Sequence, residues 1–237
     1  MHSRESVDQN GFAIIRDVFS SQDIAKILDD LRDATLRRSR AGVRHAFDSA
    51  GIARFSRNSQ LLQIAQEILG DNAFPFCATL FDKSSVANWL VVWHQDTALP
   101  IQERHETPGW GPWSVKEGVI YAHAPGGALA QVLALRVHLD DSSADNGPLR
   151  VLPASHKSGV LSDDAMRGLA FEIAPVDCLV PRGGVLAMRP LLVHASSKSQ
   201  VAAPRRVLHI EYAVSAFLAQ GLLLKVAGNP MQARRAG

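Results

Sequence analysis

The chain predicts a mainly β fold, a sandwich or barrel with helices packed against its outside. Three observations carry that expectation. From about residue 74 the sequence breaks into short β-rich runs separated by clusters of Gly, Pro, Asn and Asp. Ahead of them lie two stretches whose apolar residues recur at helical spacing. Nowhere is an apolar run long enough to cross a bilayer as a helix; LAQGLLLKVAG is too brief. With 237 residues, the reading is a single domain over 1–237, helical over about 20–70 and β over about 74–216.

GFAIIRDVF, opening at Gly11, reads as a strand. Ser20 and Ser21 then offer N-caps for the helix SQDIAKILDDLRDATL, with Ile24, Ile27, Leu28 and Leu31 on one face. Asn58 and Ser59 open a second helix, QLLQIAQEIL, and Gly70 stops it. The β runs follow: FPFCATLF, NWLVVWHQ, ALAQVLALRVHL, GPLRVLPAS, DCLV, GGVLAMRPLLVHAS and RRVLHIEYAV. Between them, residues 100–128 are rich in Gly and Pro and carry Trp110 and Trp113, and they read as a long loop rimming a site. The tail MQARRAG reads as frayed.

Composition describes an ordinary globular protein, 46% hydrophobic and 20% charged, with a formal charge of +2. Arg and Lys are scattered rather than striped, which argues against a nucleic-acid partner. Cys77 and Cys178 are the two cysteines, far apart and without a CxxC pattern, as suits small core residues in a reduced compartment. The polar start MHSRESVDQNG lacks a secretory pattern. The expectation is a cytoplasmic protein, a monomer or homodimer, whose partner is a small molecule rather than a membrane.

The chemistry concentrates in VVWHQDTALP. On an extended strand His94 and Asp96 point to one side and Gln95 to the other. Burying an imidazole and a carboxylate together is costly unless a cation joins them. Two His and one carboxylate on one face of a metal, with the opposite positions open, is the ligand set of non-haem Fe(II) oxygenases. The third ligand must come from a distant strand, and His194 in RPLLVHASSKS is the best candidate because it ends an apolar run after a PRGG turn. His138 and His209 read as core histidines in strands and His156 as a turn residue, while His2, His45 and His105 have nothing beside them. If 2-oxoglutarate completes such a site, its far carboxylate needs a guanidinium at a fixed distance. Arg205 begins the strand after His194 and Arg206 points to its opposite face. Taken alone, both read as solvated strand-end arginines.

WHQD, LRVHLDDSSADNGPLRVLPASHKSG and PRGGVLAMRPLLVHASSKSQVAAPRRVLHIEYA together resemble the phytanoyl-CoA dioxygenase-like family of Fe(II)/2-oxoglutarate oxygenases, as does the opening GFAIIRDVFSSQDIAKIL. The resemblance runs over nearly the whole chain. It implies a double-stranded β-helix (jelly-roll, cupin-like) with helices on one sheet, and Fe(II), 2-oxoglutarate and O2 as the reacting partners. It makes His94, Asp96 and His194 the metal ligands and, by the spacing after the distal histidine, Arg205 rather than Arg206 the 2-oxoglutarate clamp. It further implies Ser196 and Thr79 on the cosubstrate, with Arg136 beside it. Ala154 departs from the family's Pro-Gly-Ser-His turn. The chain is shorter than the acyl-CoA-hydroxylating members and shows no CoA-binding feature, so that substrate does not carry over. Related halogenases replace the carboxylate ligand by a small residue; Asp96 favours hydroxylation or another oxidation.

Trp93, Trp110, Trp113, Phe76 and Phe81 suit an apolar pocket. Arg44, Lys83, His123 and Gln131, with Trp113, are the substrate candidates near the expected mouth, and an anionic or carboxylate-bearing small molecule suits them. Two other classes use the same residues: a zinc-dependent hydrolase on a cupin-like barrel, and a non-catalytic jelly-roll binding protein. The first leaves Arg205 without a role. The second has no need of all four residues.

Overall fold

The computed structural model describes residues 3–33, 42–83, 87–219 and 221–226. The chain opens with α1 (Ser3–Asn10), β1 (Phe12–Ile15) and α2 (Ser21–Asp33), followed by the short β2 (Gly42–Val43), α3 (Ala50–Phe55) and α4 (Ser59–Leu69). Helix α2 starts in a reciprocal cap: the Ser20 hydroxyl accepts from Asp23 N–H at 3.2 Å and the Asp23 carboxylate accepts from Ser20 N–H at 3.1 Å. Asn58 caps α4 by accepting from Gln60 N–H at 2.8 Å, and Gly70 follows the last helical residue. The sequence-predicted end of the first helix, Ala34–Leu36, and the tail MQARRAG lie outside the described residues, as does His2. Among the described residues no helix is long and apolar enough to cross a membrane.

The remaining elements are β3 (Phe74–Lys83), β4 (Val91–His94), β5 (Ala98–Ile101), β6 (Trp113–Lys116), β7 (Val119–His123), α5 (Gly126–Leu129), β8 (Val132–His138), β9 (Leu149–Val151), α6 (Asp163–Glu172), β10 (Val176–Cys178), β11 (Val185–Met188), β12 (His194–Ser196), β13 (Arg205–Ala213), β14 (Phe217–Ala219) and β15 (Leu222–Leu223). A six-stranded antiparallel sheet runs β1-β11-β8-β13-β3-β2, and a four-stranded one β10-β9-β12-β4. The alternation of the long strands divides the large sheet into two chemically different faces. Leu80, Leu133, Leu135, Leu208, Ile210 and Tyr212 face outward and pack with Ile24, Ile27 and Leu31 of α2 and Leu61, Ala65 and Ile68 of α4. Each such Ile or Leu contributes about 1.5–3 kcal/mol by leaving water. Tyr212 satisfies its hydroxyl by donating to Ser56 O at 2.6 Å. The inner face carries polar groups in register: Lys83 opposite Arg205, and Thr79 opposite His209, which is opposite Arg136.

The expected closed jelly-roll is not what forms. The fold is a mixed α/β arrangement of several antiparallel sheets, and among the described residues no hydrogen-bonded ladder joins the six-stranded sheet to the four-stranded one. Closure is a property of edge strands, and short runs with turn signals look alike in open and closed sheets. Here one edge strand of the large sheet is the two-residue β2 and the other is β1, which neither curls round to the second sheet.

Residues 100–128 also differ from the expected loop. They contribute β6, β7 and half of β5 to a three-stranded antiparallel sheet ordered β5-β7-β6. Of the Gly and Pro residues that suggested a loop, Pro108, Gly109, Gly111, Pro112 and Gly118 sit between its strands, and Leu99, Ile101 and Ala122 bury against Phe76 and Leu129. The run ALAQVLALRVHL divides into the end of α5 and β8. Helix α6 went unread because its apolar face is thin; only Met166 is buried in it.

Candidate metal centre and its cavity

His94 is the last residue of β4 and pairs directly with His194, the first of β12. Their rings stand 4.1 Å apart, centroid to centroid. Each ring is oriented by its own backbone: His94 Nδ1 lies 2.9 Å from Val92 O, and His194 Nδ1 lies 2.8 Å from Leu192 O. A carbonyl can only accept, so Nδ1 carries the proton and the Nε2 lone pairs turn inward. Asp96 receives them, with Oδ1 3.7 Å from His94 Nε2 and Oδ2 3.6 Å from His194 Nε2. Those gaps are too long for hydrogen bonds. All three ligand atoms lie within 4.8 Å of one another, and among the described residues this is the one such group of three. Two Nε2 lone pairs and a carboxylate facing one point fit a divalent transition metal.

Electrostatics prepares these donors. Burial pushes His194 down to about 4, against the pull of Asp96, so its imidazole is neutral at pH 7 with the lone pair free. Burial pushes the Asp96 carboxyl upward, but His194, His94, His209 and Arg136 overcome this and leave it below the usual carboxylate value. Gln95 points the other way and pins the strand. Its amide donates to Leu191 O at 2.7 Å and Gly159 O at 2.9 Å, and its oxygen accepts from Leu161 N–H at 2.9 Å. Asp96 N–H donates to Pro190 O at 2.9 Å.

A cavity of about 70 Å³ opens beside the triad, with Lys83, Ser196, Arg205 and Arg136 in its wall. All four side chains are buried. Lys83 Nζ donates to Ser196 Oγ at 2.9 Å and to Ser197 O at 2.6 Å, while Arg205 reaches the same hydroxyl at 3.4 Å. Arg205 is supported from behind by Asn146 O, 3.3 Å from its Nε. The turn at Gly147 requires glycine: φ is +68°, and a Cβ there would fall 2.4 Å from Ser197 O. Burial lowers Lys83 to about 8 and Arg205 to about 10; neighbouring Arg205 adds to the first shift and Arg136 to the second. Among the described residues neither cation has a carboxylate in ion-pair contact. Arg136 lies 3.1 Å from His209 Nδ1 with its carbon 5.1 Å from the Phe81 ring centre, and its Nε finds no partner.

Strand parity separates the two arginines. Arg206 faces away and forms a two-pronged pair with Asp140, both contacts at 2.8 Å. Thr79 shares the inner face with Lys83. Of the residues expected at the mouth, Lys83 instead belongs to the cation pair beside Ser196. His123 Nδ1 is 2.7 Å from Thr97 Oγ1, next to Asp96. Arg44 is 3.7 Å from Glu117 and 42% exposed. Trp113 and Trp110 pack against the apolar cluster under the small sheet, with Arg104 5.4 Å from the Trp113 ring centre. Phe76 is core there too, whereas Phe81 lines the cavity. Gln131 is exposed ahead of β8. Trp93 borders a wider cleft of about 490 Å³ with Leu90, Val92 and Arg167. Tyr121 and Glu211 carry no expectation from the sequence, while Cys77 is buried in the core as expected. The i, i+2 step from Arg205 through His209 to Glu211 was the available signal.

A sequence model of the family described as "Phytanoyl-CoA dioxygenase (PhyH)" matches residues 7–207. L-proline trans-4-hydroxylase of Streptomyces griseoviridis is 24% identical over 194 residues, 71% of this chain and 64% of that protein. Ectoine dioxygenase of Bordetella bronchiseptica is 27% identical over 169 residues, 65% of this chain and 48% of that one. The chain thus spans between about half and just under two thirds of these curated relatives. Among solved structures, AviO1 from Streptomyces viridochromogenes Tue57 has a TM-score of 0.65 at 23% identity, over 89% of this chain and 93% of that one. EctD from S. alaskensis in its apoform has a TM-score of 0.69 at 19% identity, over 90% and 77%. The epimerase SnoN, solved with Fe3+, alpha ketoglutarate and nogalamycin RO, has a TM-score of 0.69 at 16% identity, over 97% and 87%. At these identities the likeness is one of fold.

Proposed function

Because this chain belongs to the phytanoyl-CoA dioxygenase (PhyH) family, we propose that it is an Fe(II)/2-oxoglutarate-dependent oxygenase acting on a C–H bond of a small molecule. The balanced reaction is R–H, O2 and 2-oxoglutarate giving R–OH, succinate and CO2. One observation carries this reading: the His94, Asp96 and His194 donors share a cavity with two buried cations, Lys83 and Arg205, that have no ion-paired carboxylate among the described residues. A zinc hydrolase uses the first feature and has no use for the second. The relatives named for hydroxylating L-proline and oxidising ectoine support a small-molecule substrate.

Each residue has a defined task. His94, Asp96 and His194 would hold Fe(II), which when bound supplies the redox chemistry with O2 that side chains lack. Arg205, Lys83 and Ser196 bind the far carboxylate of 2-oxoglutarate, and the planar guanidinium fixes its direction. Thr79 and Arg136 border the same molecule. Gln95 keeps the His94–Asp96 backbone from drifting, and positional error at a reacting centre is expensive in rate. Phe81, Val91 and Leu149 form the apolar part of the cavity wall and limit the entry of water.

The test is to add Fe(II) and 2-oxoglutarate without oxygen and record visible absorption, then admit air and measure succinate. A charge-transfer band followed by succinate release is expected. A colourless sample that hydrolyses esters or amides with zinc would replace this reading by a hydrolase, and silence in both assays by a binding protein.

A further inference from the structure

The end of β3 sets two like charges against each other. Lys83 pairs directly across the ladder with Arg205 of β13, and both side chains line the cavity, as does Arg136. Like charges directly opposite on a sheet are destabilising, and here all three cations are buried. The other ionisable groups on the cavity wall are His94, Asp96 and His194 of the triad. Among the described residues no carboxylate is in ion-pair contact with Lys83 or Arg205. Ser196 Oγ at 2.9 Å and Ser197 O at 2.6 Å hold Lys83 Nζ in one place, and an Arg205 nitrogen stands 3.4 Å from the same hydroxyl.

Turning one member of such a pair into an anion relieves it, and an uncharged amine becomes an anion when it adds CO2. Lys83 is the member suited to this. Burial, helped by Arg205, lowers it to about 8, whereas Arg205 at about 10 remains a guanidinium at neutral pH. Room is available as well. The cavity measures about 70 Å³. One water needs about 10–15 Å³ on the same measure, so a group of three added atoms fits.

We propose that Lys83 is a carbamylation site, whose amine adds CO2 to give an Nζ-carboxylate held by Arg205 and Ser196. The nitrogen lone pair forms the new N–C bond, one C–O π pair moves onto oxygen, and the proton displaced from nitrogen leaves to water. Nothing is oxidised or reduced, and dissolved CO2 is the only co-reactant. The product replaces a like-charged Lys83–Arg205 pair by an oppositely charged one and keeps one N–H for Ser197 O. This inference stands apart from the oxygenase reading above. Where that reading holds, the carbamate takes the place of the far carboxylate of 2-oxoglutarate, so modification and cosubstrate exclude each other.

The experiment equilibrates the full chain near pH 8 with isotopically labelled bicarbonate and CO2. A trialkyloxonium salt then fixes any carbamate as its ester, and peptide mass spectrometry locates it. A labelled alkoxycarbonyl group on Lys83 is expected, at least about tenfold more abundant than on the exposed Lys26 and Lys157 in the same digest. Arg205→Ala should lower that occupancy by about tenfold or more, because it removes the partner of the carboxylate and raises the charged fraction of the lysine. Labelling of Lys83 no greater than that of Lys26 and Lys157, or unchanged in a folded Arg205→Ala chain, would overturn the proposal. If that variant does not fold, the comparison within the wild-type digest decides the matter alone. Fe(II) and 2-oxoglutarate added before the label should suppress the adduct; an undiminished adduct in a sample that shows the charge-transfer band would overturn the mutual exclusion. A labelled Lys83 in a chain that forms no band would support this inference and remove the oxygenase reading.

Discussion

The Lys83 ammonium donates to the Ser196 hydroxyl at 2.9 Å, across 113 residues of chain. This contact ties the end of β3 in the six-stranded sheet to the end of β12 in the four-stranded one, and Arg205 converges on the same oxygen. Two buried cations around one hydroxyl are costly to maintain in an empty cavity, and a dicarboxylate relieves that cost.

Arg205→Ala is expected to weaken 2-oxoglutarate binding by about 2–5 kcal/mol, because the far carboxylate loses its two-pronged partner in a buried site. Arg206→Ala should leave that affinity unchanged and cost at most about 1 kcal/mol of stability, since its pair with Asp140 is partly solvent-screened. Titrating 2-oxoglutarate into both variants decides it; a larger loss in Arg206→Ala would move the clamp to the other face of β13.

Affinity for 2-oxoglutarate should fall as pH rises through about 8. Lys83 is held at about 8 in the folded protein, against 10.5 for the free side chain, mainly by burial and secondarily by Arg205. Below about 8 it is charged in both states, and its burial cost is fully present. Between about 8 and 10.5 the folded chain holds fewer protons than the unfolded one, so stability of the empty protein rises with pH. The dianion needs the charged form, so binding moves in the opposite sense, losing up to about tenfold per pH unit. Binding isotherms from pH 7 to 9.5 should show the slope in the wild type and lose it in Lys83→Met.

Asp96→Ala removes a ligand atom and the negative charge between two imidazoles. Metal affinity is expected to drop by more than about 100-fold, beyond what loss of a supporting contact causes, and succinate formation should reach background. Metal analysis of the dialysed protein reads the first effect; retained metal with unaltered turnover would remove Asp96 from the centre.

Gln95→Leu keeps the volume roughly constant but leaves Leu161 N–H, Gly159 O and Leu191 O without their side-chain partner. The expected cost is about 2–4 kcal/mol of stability, with metal affinity falling about 10–100-fold as the His94–Asp96 backbone loosens. Thermal melting with and without Fe(II) separates the two: a melting loss without any change in metal-induced stabilisation would make Gln95 purely structural.

Residues that act through local spacing were legible in the chain. The caps at Ser20 and Asn58 and the His94–Asp96 alternation depend on neighbours a few positions away, and the structure shows each of them. The parity of Arg205 and Arg206 follows from strand alternation in the same way. Lys83 was read as a mouth residue because nothing local ties the end of β3 to Ser196; that contact exists only once two sheets face each other.

The sequence by itself determined the run of β elements, the two amphipathic helices and which donors can meet a metal, because periodicity and residue chemistry are local. Tertiary structure alone decided that the sheets remain open, that residues 100–128 build most of a third sheet, and that Lys83, Arg136 and Arg205 share one cavity with Asp96. Edge pairing and electrostatic fields depend on distances through space, and those are fixed only when the chain has packed.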